Sequence, residues 1–328
     1  MRIVNIIGTR PQYIKLGAMS LEFTGHDVLN IDTGQHYDSN MSAEFIKEFG
    51  LKIDRVTMDI VEIRKEIRKF GPDVVLLYGD THSTLLGLIA SEGYIRGHVE
   101  AGVRTFNRSY TEENIRMAVD HASDFCFCPS DVGCKNLIKE GKDRGRIFDT
   151  GDVMVDTIKL SNIGIIEDDY IFMTLHRPQN VDNPFSLQTI MDEVGKCDIK
   201  VIFPVHPRTM KIINKHNIKI PFNIRYVEPM SYHDSLQHIS NAVCTITDSG
   251  GVEKETYSLK TPGVIIRDDT PWPETHDCGW NKLSSINEIS YIVNNMVRKR
   301  TPFDWVPWYG DGNARKKIME ILDENINS

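Results

Sequence analysis

The chain has 328 residues, which is enough for two domains of ordinary size. Its 40% hydrophobic and 26% charged residues are typical of a globular protein, and a net charge of −8 argues against a general nucleic-acid binder. No stretch approaches the roughly 18 apolar residues that a membrane-spanning helix needs. The apolar N-terminus is too short for a signal peptide, so we expect a cytoplasmic protein whose first residues form a buried strand.

Strand-like and helix-like segments alternate through the first half of the chain. Residues 3–7 are predicted to form the first strand and residues 14–23 the first helix. Residues 73–78 are a continuous apolar run that ends at Gly79, which is the pattern of a central parallel strand buried on both faces. A helix is predicted at 112–122.

The pattern restarts after residue 164, where 170–175 is predicted as a strand and 186–194 as a helix. The other segments predicted in this half are strands at 200–204, 224–227, 242–247 and 263–266 and helices at 231–239, 252–257, 286–297 and 314–325. Repeated alternation implies parallel sheets with right-handed crossovers. We therefore predict an α/β fold with two Rossmann-like domains, residues 1–162 and 163–311.

The six cysteines lack Cys-x-x-Cys spacing. In a cytoplasmic chain of this size we expect reduced thiols rather than a disulfide framework or a zinc site.

The first motif, Gly8-Thr9-Arg10-Pro11, directly follows the first strand. Such a turn can bring backbone amides and the Arg10 guanidinium to a phosphate or carboxylate, and Lys15 lies one turn into the following helix. A plain strand–helix turn is an equally good interpretation. The motif is not Gly-x-Gly-x-x-Gly, so it gives no support to a nicotinamide or flavin site.

Acidic residues follow two central strands of the same predicted sheet. Asp80 and Glu100 each lie just past an apolar strand, where a carboxylate is costly unless it is solvated or paired. Converging carboxylates can serve as general acid or base or bind a divalent metal, although no Asp-x-Asp or His-x-His spacing favours a metal. Glu112 and Glu113 open a predicted helix, where interaction with the helix dipole is the simpler interpretation.

The second half carries two His/Arg pairs after successive strands. His176-Arg177 follows the first strand and His206-Pro207-Arg208 follows the next. A lone histidine is usually structural, but two such pairs favour anion binding or acid–base chemistry.

Asp248-Ser249-Gly250-Gly251 precedes a predicted helix. Its amides and hydroxyl can bind a diphosphate at the helix N-terminus, and Glu255 one turn later can accept hydrogen bonds from a ribose diol. The alternative is a plain serine N-cap. Arg267 begins a charged, proline-rich segment, 267–274, which we predict to be a loop at the same sheet edge.

In this order, the motifs resemble the non-hydrolysing UDP-N-acetylglucosamine 2-epimerases and their relatives that act on diacetamido-uronic acid sugars. No single motif is specific, but together they are, and they extend from Gly8 to about Gly279. The motifs are Gly8-Thr9-Arg10-Pro11, Thr33-Gly34-Gln35-His36, Gly79-Asp80-Thr81, His98-Val99-Glu100-Ala101-Gly102, Glu112-Glu113 with Arg116, His176-Arg177 and Thr247-Asp248-Ser249-Gly250-Gly251.

The resemblance implies a GT-B fold, with the ligand in a cleft between the domains and a C-terminal helix, about 312–328, packed back on the first domain. It implies a homodimer that inverts C2 of a UDP-N-acetylhexosamine without a cofactor or a metal. In the family, a base removes the C2 proton, UDP leaves C1, and the 2-acetamidoglucal intermediate is reprotonated on its other face as UDP adds back.

The resemblance also assigns roles by position. Asp80, Glu100, Glu112 and His176 match catalytic residues, and Asp80 is our hypothesis for the base. The positions that match or adjoin substrate-binding residues are Arg10, Lys15, Asp248, Ser249, Gly250, Gly251, Glu255 and Arg267, with Ser249, Gly250 and Arg10 at the diphosphate and Glu255 at the ribose.

Departures from the family pattern bear on regulation. The family's Pro-Glu-Glu-x-Asn-Arg has its Asn displaced by one position here, and Gln12 replaces a usual glutamate. Gln35, Arg177 and His206 resemble residues of a second, regulatory substrate site. Asp38 replaces a glutamine of that site, and the stretch 51–72 is shortened, so we expect substrate activation to be weak or absent.

Substrate and reaction class leave alternatives. Tyr37-Asp38, the segment 106–108 and the 269–274 loop lean towards the uronic acid relatives. Arg108 is a candidate to meet a sugar carboxylate, and an ordinary exposed loop arginine is at least as good an interpretation. UDP-N-acetylglucosamine is the substrate that we favour. A GT-B glycosyltransferase, a hydrolysing epimerase and a catalytically silent nucleotide-sugar sensor are the rival functions.

Overall fold

The computed structural model describes residues 1–35, 39–299 and 305–326, with side chains described for all of these except 39–42 and 298–299. The predictions that involve His36, Tyr37 and Asp38 lie outside the described residues. The chain divides into unit 1, which comprises Met1–Leu160 and Pro307–Ser328, and unit 2, which comprises Ser161–Val306.

Unit 1 is built on a parallel sheet with the strand order β3-β2-β1-β4-β5-β6-β7 in the described part of the chain. Its strands are β1 (Arg2–Ile7), β2 (Asp27–Asp32), β3 (Arg55–Val56), β4 (Val74–Tyr78), β5 (Arg96–Val99), β6 (Phe125–Cys128) and β7 (Ile147–Asp149). Its helices are α1 (Arg10–Met19), α2 (Ser39–Glu48), α3 (Ile60–Phe70), α4 (His82–Ala90), α5 (Thr111–Ala122), α6 (Asp131–Lys139), α7 (Val153–Leu160) and α15 (Ala314–Ile326).

The central strand of unit 1, β4, leads directly into the turn that carries Asp80. All five residues of β4 are fully buried, as expected for a strand covered by helices on both faces. Gly79 ends the strand with φ +62°, a left-handed conformation that glycine adopts without strain. The chain therefore turns sharply at the carboxyl end of β4 and presents Asp80 there.

The last helix of the chain belongs to unit 1. Asp156 on α7 is buried and accepts hydrogen bonds from the amides of Ala314 (3.0 Å) and Arg315 (2.8 Å), which are the first residues of α15. These amides have no partner within their own helix, so the carboxylate caps α15 and fixes it on α7.

Unit 2 is also built on a parallel sheet, with the strand order β10-β9-β8-β11-β12-β13 in its described residues. Its strands are β8 (Ile171–Thr174), β9 (Val201–Pro204), β10 (Ile224–Val227), β11 (Cys244–Thr247), β12 (Gly263–Ile265) and β13 (Asn281–Leu283). Its helices are α8 (Pro178–Val181), α9 (Pro184–Val194), α10 (Pro207–His216), α11 (Tyr232–Asn241), α12 (Gly250–Ser258), α13 (Pro273–Asp277) and α14 (Ile289–Lys299).

The predicted α/β fold with two Rossmann-like series is confirmed, because both sheets are parallel and both alternate with helices. The elements that the prediction missed include β3, α7, α8, α10 and β13. The prediction that 267–274 is entirely loop is wrong at its end: α13 begins at Pro273, because proline fits the first turn of a helix.

All six cysteines are free thiols. Among the described residues, none of the helices is both long and apolar enough to span a bilayer.

Candidate active site

Lys15 and Glu100 form a buried ion pair in unit 1. The Lys15 ammonium on α1 lies 3.0 Å from the Glu100 carboxylate just beyond β5, and the two side chains are 4% and 10% exposed. A Cβ atom on Gly79 would lie 3.5 Å from Lys15 Nζ and 3.6 Å from Glu100 Oε1. The β4 turn therefore lies directly against the pair.

Asp80 lies beside a second buried cation, Arg116 of α5. Their side chains form an ion pair, and the Arg116 guanidinium also lies 3.5 Å from Glu113. Burial by itself would lower the pKa of Arg116, but the charges of Asp80, Glu100 and Glu113 raise it above its usual value. We call these three acids with Lys15 and Arg116 the carboxylate cluster.

Glu100 has a strained backbone. Its φ is +79°, a left-handed value that costs a residue with a Cβ on the order of 1–3 kcal/mol. The amides of Glu100 and Ala101 both donate to the carbonyl of Phe127 on the neighbouring β6, at 3.1 and 3.0 Å. The sheet therefore holds the turn in the conformation that brings the Glu100 carboxylate to Lys15.

The two glutamates that open α5 have different surroundings. Glu113 is 1% exposed and accepts hydrogen bonds from the Thr105 amide and hydroxyl and from the Phe106 amide, each at 2.9 Å. Glu112 is exposed. The structure thus brings Glu113 into the carboxylate cluster, where it anchors the preceding loop as well as lying in the first turn of the helix.

Three further predicted residues of unit 1 have defined contacts. The Arg10 guanidinium lies over the Phe45 ring, 4.8 Å from its centroid. Gln35 accepts hydrogen bonds from the amide (2.9 Å) and hydroxyl (2.8 Å) of Ser83, which ties the loop after β2 to the start of α4. Gln12 donates to the carbonyl of Tyr78 at 2.8 Å, a contact that a carboxylate can make only when protonated.

In unit 2, Asp248 is a buried carboxylate at the carboxyl end of β11. It accepts hydrogen bonds from the amides of His176 and Arg177 (3.0 Å each) and the Asn180 amide side chain (2.9 Å), and it lies 2.9 Å from His176 Nδ1. Burial would raise the pKa of Asp248, but its contacts with His176 and Asn180 and the Arg177 amide hold it below its usual value.

This carboxylate orients the His176 ring. The ionised Asp248 accepts from Nδ1, so Nδ1 carries a proton and the ring has a fixed orientation. The His176 side chain is 58% exposed, which leaves its far edge accessible to a ligand.

Ser249, Gly250 and Gly251 form the turn at the start of α12, and we call them the anion turn. The Ser249 hydroxyl caps the helix by accepting from the Val252 amide at 3.4 Å. The first amides of a helix lack intrahelical partners and attract anions. Arg267, whose side chain is 4% exposed, points a guanidinium nitrogen to within 3.2 Å of where a Gly250 Cβ would lie.

The segment after Arg267 is tied to α12. Trp272 Nε1 donates to the Gly250 carbonyl at 2.9 Å, and the Lys254 ammonium lies 4.2 Å from the centre of the Trp272 ring. Glu255 is buried in the same helix. The anion turn and Arg267 are therefore held together as one structure.

His206 acts as the N-cap of α10, a role that the motif interpretation did not include. Its Nδ1 accepts from the Arg208 amide at 3.2 Å, and the Arg208 guanidinium pairs with Asp182. Among the described residues, no group of three histidine, cysteine or acidic side chains has the arrangement of a metal site.

Comparison with known proteins gives the family of the chain. Residues 22–323 match the sequence pattern of the family described as UDP-N-acetylglucosamine 2-epimerase. The UDP-N-acetylglucosamine 2-epimerase of Methanocaldococcus jannaschii is 36% identical over 363 residues, covering 98% of this chain and 99% of that protein. The UDP-2,3-diacetamido-2,3-dideoxy-D-glucuronate 2-epimerase of Pseudomonas aeruginosa is 35% identical over 353 residues, with coverage of 98% and 99%.

Structural similarity extends over the same length. The crystal structure of the Methanocaldococcus jannaschii UDP-GlcNAc 2-epimerase in complex with UDP-GlcNAc and UDP matches with a TM-score of 0.88 at 34% identity, covering 99% of this chain and 100% of that chain. The two parallel sheets and this similarity give the chain the two-domain, Rossmann-like GT-B fold. The chain belongs to the UDP-N-acetylglucosamine 2-epimerase family.

Proposed function

We propose that this protein is a non-hydrolysing UDP-N-acetylglucosamine 2-epimerase that interconverts UDP-N-acetylglucosamine and UDP-N-acetylmannosamine. The observation that carries the proposal is the carboxylate cluster. In it, Asp80 pairs with Arg116 and Glu100 pairs with Lys15, and the turn at Gly79 lies against the second pair. A family match over residues 22–323 supports the substrate class. The proposal needs no cofactor, and we expect the enzyme to act as a homodimer.

The reaction that we propose has two halves. A carboxylate removes the C2 proton, a C1–C2 double bond forms, and UDP leaves C1 with the bonding electrons. The 2-acetamidoglucal that remains is then protonated at C2 on the opposite face, and UDP re-forms its bond to C1. The substrate and the product are isomers, so their atoms balance. The first carboxylate has gained a proton and the group on the opposite face has lost one, and exchange with solvent restores both before the next turnover.

In this scheme unit 1 supplies the acid–base groups. Asp80 is our candidate for the base, and its carboxylate pairs with the Arg116 guanidinium. Glu100 is the candidate for the second face of C2, and its carboxylate lies 3.0 Å from the Lys15 ammonium. Glu112 is a candidate only because its position matches a catalytic residue of the family. It is exposed, so Glu100, which lies in the carboxylate cluster, is the better-supported candidate.

Unit 2 supplies the site for UDP. We propose that the anion turn and Arg267 bind the diphosphate, while Glu255 accepts from the ribose. His176, oriented by Asp248, donates a hydrogen bond or a proton to the departing diphosphate. Stabilising negative charge on the leaving group lowers the barrier to its departure.

The second candidate substrate is UDP-2,3-diacetamido-glucuronic acid. The Pseudomonas aeruginosa enzyme named for that substrate is 35% identical, against 36% for the Methanocaldococcus jannaschii enzyme named for UDP-N-acetylglucosamine. Arg108 is exposed, and its guanidinium donates to the Asn114 side chain at 3.3 Å. It would provide a cation for the uronic carboxylate.

Proton NMR in D2O tests the reaction and the substrate together. Purified protein is incubated with UDP-N-acetylglucosamine, without added metal or nicotinamide cofactor. We expect deuterium at C2 and the appearance of UDP-N-acetylmannosamine. Exchange only with the diacetamido-uronic acid substrate would favour the second candidate, and exchange with neither would refute both.

A further inference from the structure

His98 on β5 is a fully buried histidine whose two ring nitrogens both face acceptors. Its Nδ1 lies 2.6 Å from Oδ1 of Asp120, and its Nε2 lies 2.7 Å from the carbonyl oxygen of Gly79. A neutral imidazole carries one proton and can donate only one of these bonds. The geometry therefore requires a second proton, either on the ring or on Asp120.

The surroundings of Asp120 place that second proton on the ring. The carboxylate is fully buried, accepts from the Gly102 amide at 3.1 Å and lies 2.7 Å from the Arg104 guanidinium. Burial by itself would raise the pKa of Asp120, but its contacts hold it below its usual value, and among them the Arg104 guanidinium is charged whatever the state of His98. An ionised Asp120 can only accept, so His98 must donate from both nitrogens.

Other charged groups surround Asp120. Arg104 also forms a two-pronged pair with Glu140, with Nε and Nη2 each 2.8 Å from a carboxylate oxygen. The Lys142 ammonium donates to the backbone carbonyl of Asp120 at 2.8 Å. Arg104 and Lys142 place positive charge near the Asp120 carboxylate, which favours its ionised form. His121 lies 3.2 Å from Glu140 at the partly exposed end.

The network connects the two turns that carry Asp80 and Glu100. Through His98, Asp120 is linked to the carbonyl of Gly79, the residue before Asp80. Through its other oxygen, Asp120 holds the amide of Gly102, two residues after Glu100. Of the residues in these turns, Glu100 carries the conformational cost, because its φ of 79° is left-handed and it has a Cβ.

We propose that His98 is a positioning residue that donates from both ring nitrogens and, with Asp120, sets the distance between the Asp80 and Glu100 carboxylates. His98 does not touch the substrate. Its role in catalysis rests on the proposed function, because only acid–base chemistry at these carboxylates makes their separation matter. Its protonation state does not depend on that function.

Neutron diffraction from crystals of the perdeuterated wild-type protein at neutral pH tests the protonation state. We expect deuterons on both Nδ1 and Nε2 of His98 and none on Asp120. A single ring deuteron, or a deuteron on Asp120, would overturn the proposal. This measurement needs neither a variant nor an active enzyme.

His98→Gln tests the positioning role, because a glutamine amide has one nitrogen and cannot donate to both acceptors. We expect kcat for C2 exchange to fall about 100-fold, the cost of displacing a reacting group by about 1 Å. The dissociation constant for UDP should stay unchanged, because the anion turn lies in unit 2. General loss of structure would change both quantities. His121→Gln, on the same network but 43% exposed, is the matched control and should keep full kcat.

Asp120→Asn provides a second variant if His98→Gln does not fold, and the same split between kcat and UDP affinity is expected. Full kcat in either variant, with an active wild type, would refute the positioning role. If the wild type shows no C2 exchange, the proposed function fails instead. The crystal structure of His98→Gln then still decides the structural part: an unmoved Gly79 carbonyl and an intact Asp80–Arg116 pair would overturn it.

Discussion

Two buried carboxylates, one in each unit, are held in different ways. In unit 1, Glu100 is paired with the ammonium of Lys15, so one full charge is balanced by another. In unit 2, Asp248 has a histidine as its ionisable partner, and its remaining hydrogen bonds come from backbone amides and an asparagine side chain. Amide donors are fixed dipoles that keep a carboxylate ionised without exchanging protons with it.

This difference assigns separate tasks to the two regions. Paired acids and bases can pass a proton to a substrate and recover it, which is the requirement of general acid–base catalysis. The arrangement around Asp248 is suited to keeping a turn and a histidine rigid. We therefore expect changes at Asp80 and Glu100 to act on kcat, changes at the anion turn to act on UDP affinity and changes at Asp248 to act on stability.

The largest expected effect is that of Asp80→Asn. The variant keeps the shape of the side chain and removes its ability to take a proton, so C2 exchange should fall by about 100- to 10,000-fold. UDP affinity, measured by calorimetry, should stay within about twofold of the wild type, because UDP lacks the sugar carbon on which Asp80 would act.

Two results would contradict the prediction for Asp80. C2 exchange at the wild-type rate would exclude Asp80 as the base. A parallel loss of UDP affinity would mean that unit 1 contributes to binding as much as to chemistry, and the division of tasks between the units would be wrong.

Glu113→Gln should have the next largest effect, on stability. The buried Glu113 accepts three hydrogen bonds at 2.9 Å and lies 3.5 Å from Arg116, and breaking a buried ion pair costs about 3 kcal/mol. Urea unfolding should report that decrease in the free energy of unfolding. Glu112→Gln changes the adjacent, exposed residue and is the matched control, with no expected change in stability. A loss of C2 exchange in Glu112→Gln would support the predicted catalytic role of Glu112.

Arg267→Gln tests the anion turn in unit 2. Losing one charged hydrogen-bond donor to a diphosphate should weaken UDP binding about tenfold or more. Arg225→Gln, which removes an equal charge from an exposed position on β10, should leave UDP affinity unchanged. Equal weakening in the two variants would show that net charge, and not the position of Arg267 beside Gly250, governs binding.

The sequence predicts those parts of the fold that depend on local pattern. The apolar run at 73–78 and the helix at 112–122 correspond to β4 and α5 within one residue at each end. Helix α10, which the prediction missed, also has a local signal, because Pro207 occupies its first turn and His206 caps it. An interpretation of His-Pro-Arg as a binding motif alone overlooks that signal.

What the sequence could not predict depends on pairing over long distances. Glu112 and Glu113 are adjacent and chemically identical, and only the loop that packs on α5 determines that Glu113 is the buried one. Asp120 and Arg104 carried no motif signal, because their importance comes from His98, 22 residues from Asp120 in the chain. A local pattern can place a residue on a helix, but it cannot say which side chain meets it there.

Asp248→Asn should have the smallest effect, and its pH dependence identifies the cause. Folding lowers the pKa of Asp248, so the ionised carboxylate stabilises the native state above the pKa of the unfolded chain, about 3.9, and this stabilisation is lost as pH falls through the lower native value. At neutral pH we expect Asp248→Asn to lose about 1 kcal/mol, since asparagine retains one acceptor oxygen. Urea unfolding of both proteins from pH 7 to pH 3, the range that spans the unfolded pKa, should show a constant difference that shrinks only at the acidic end. A difference that stays constant throughout would mean that Asp248 contributes through its shape and not its charge, which would remove the contrast with the ion-paired carboxylates of unit 1.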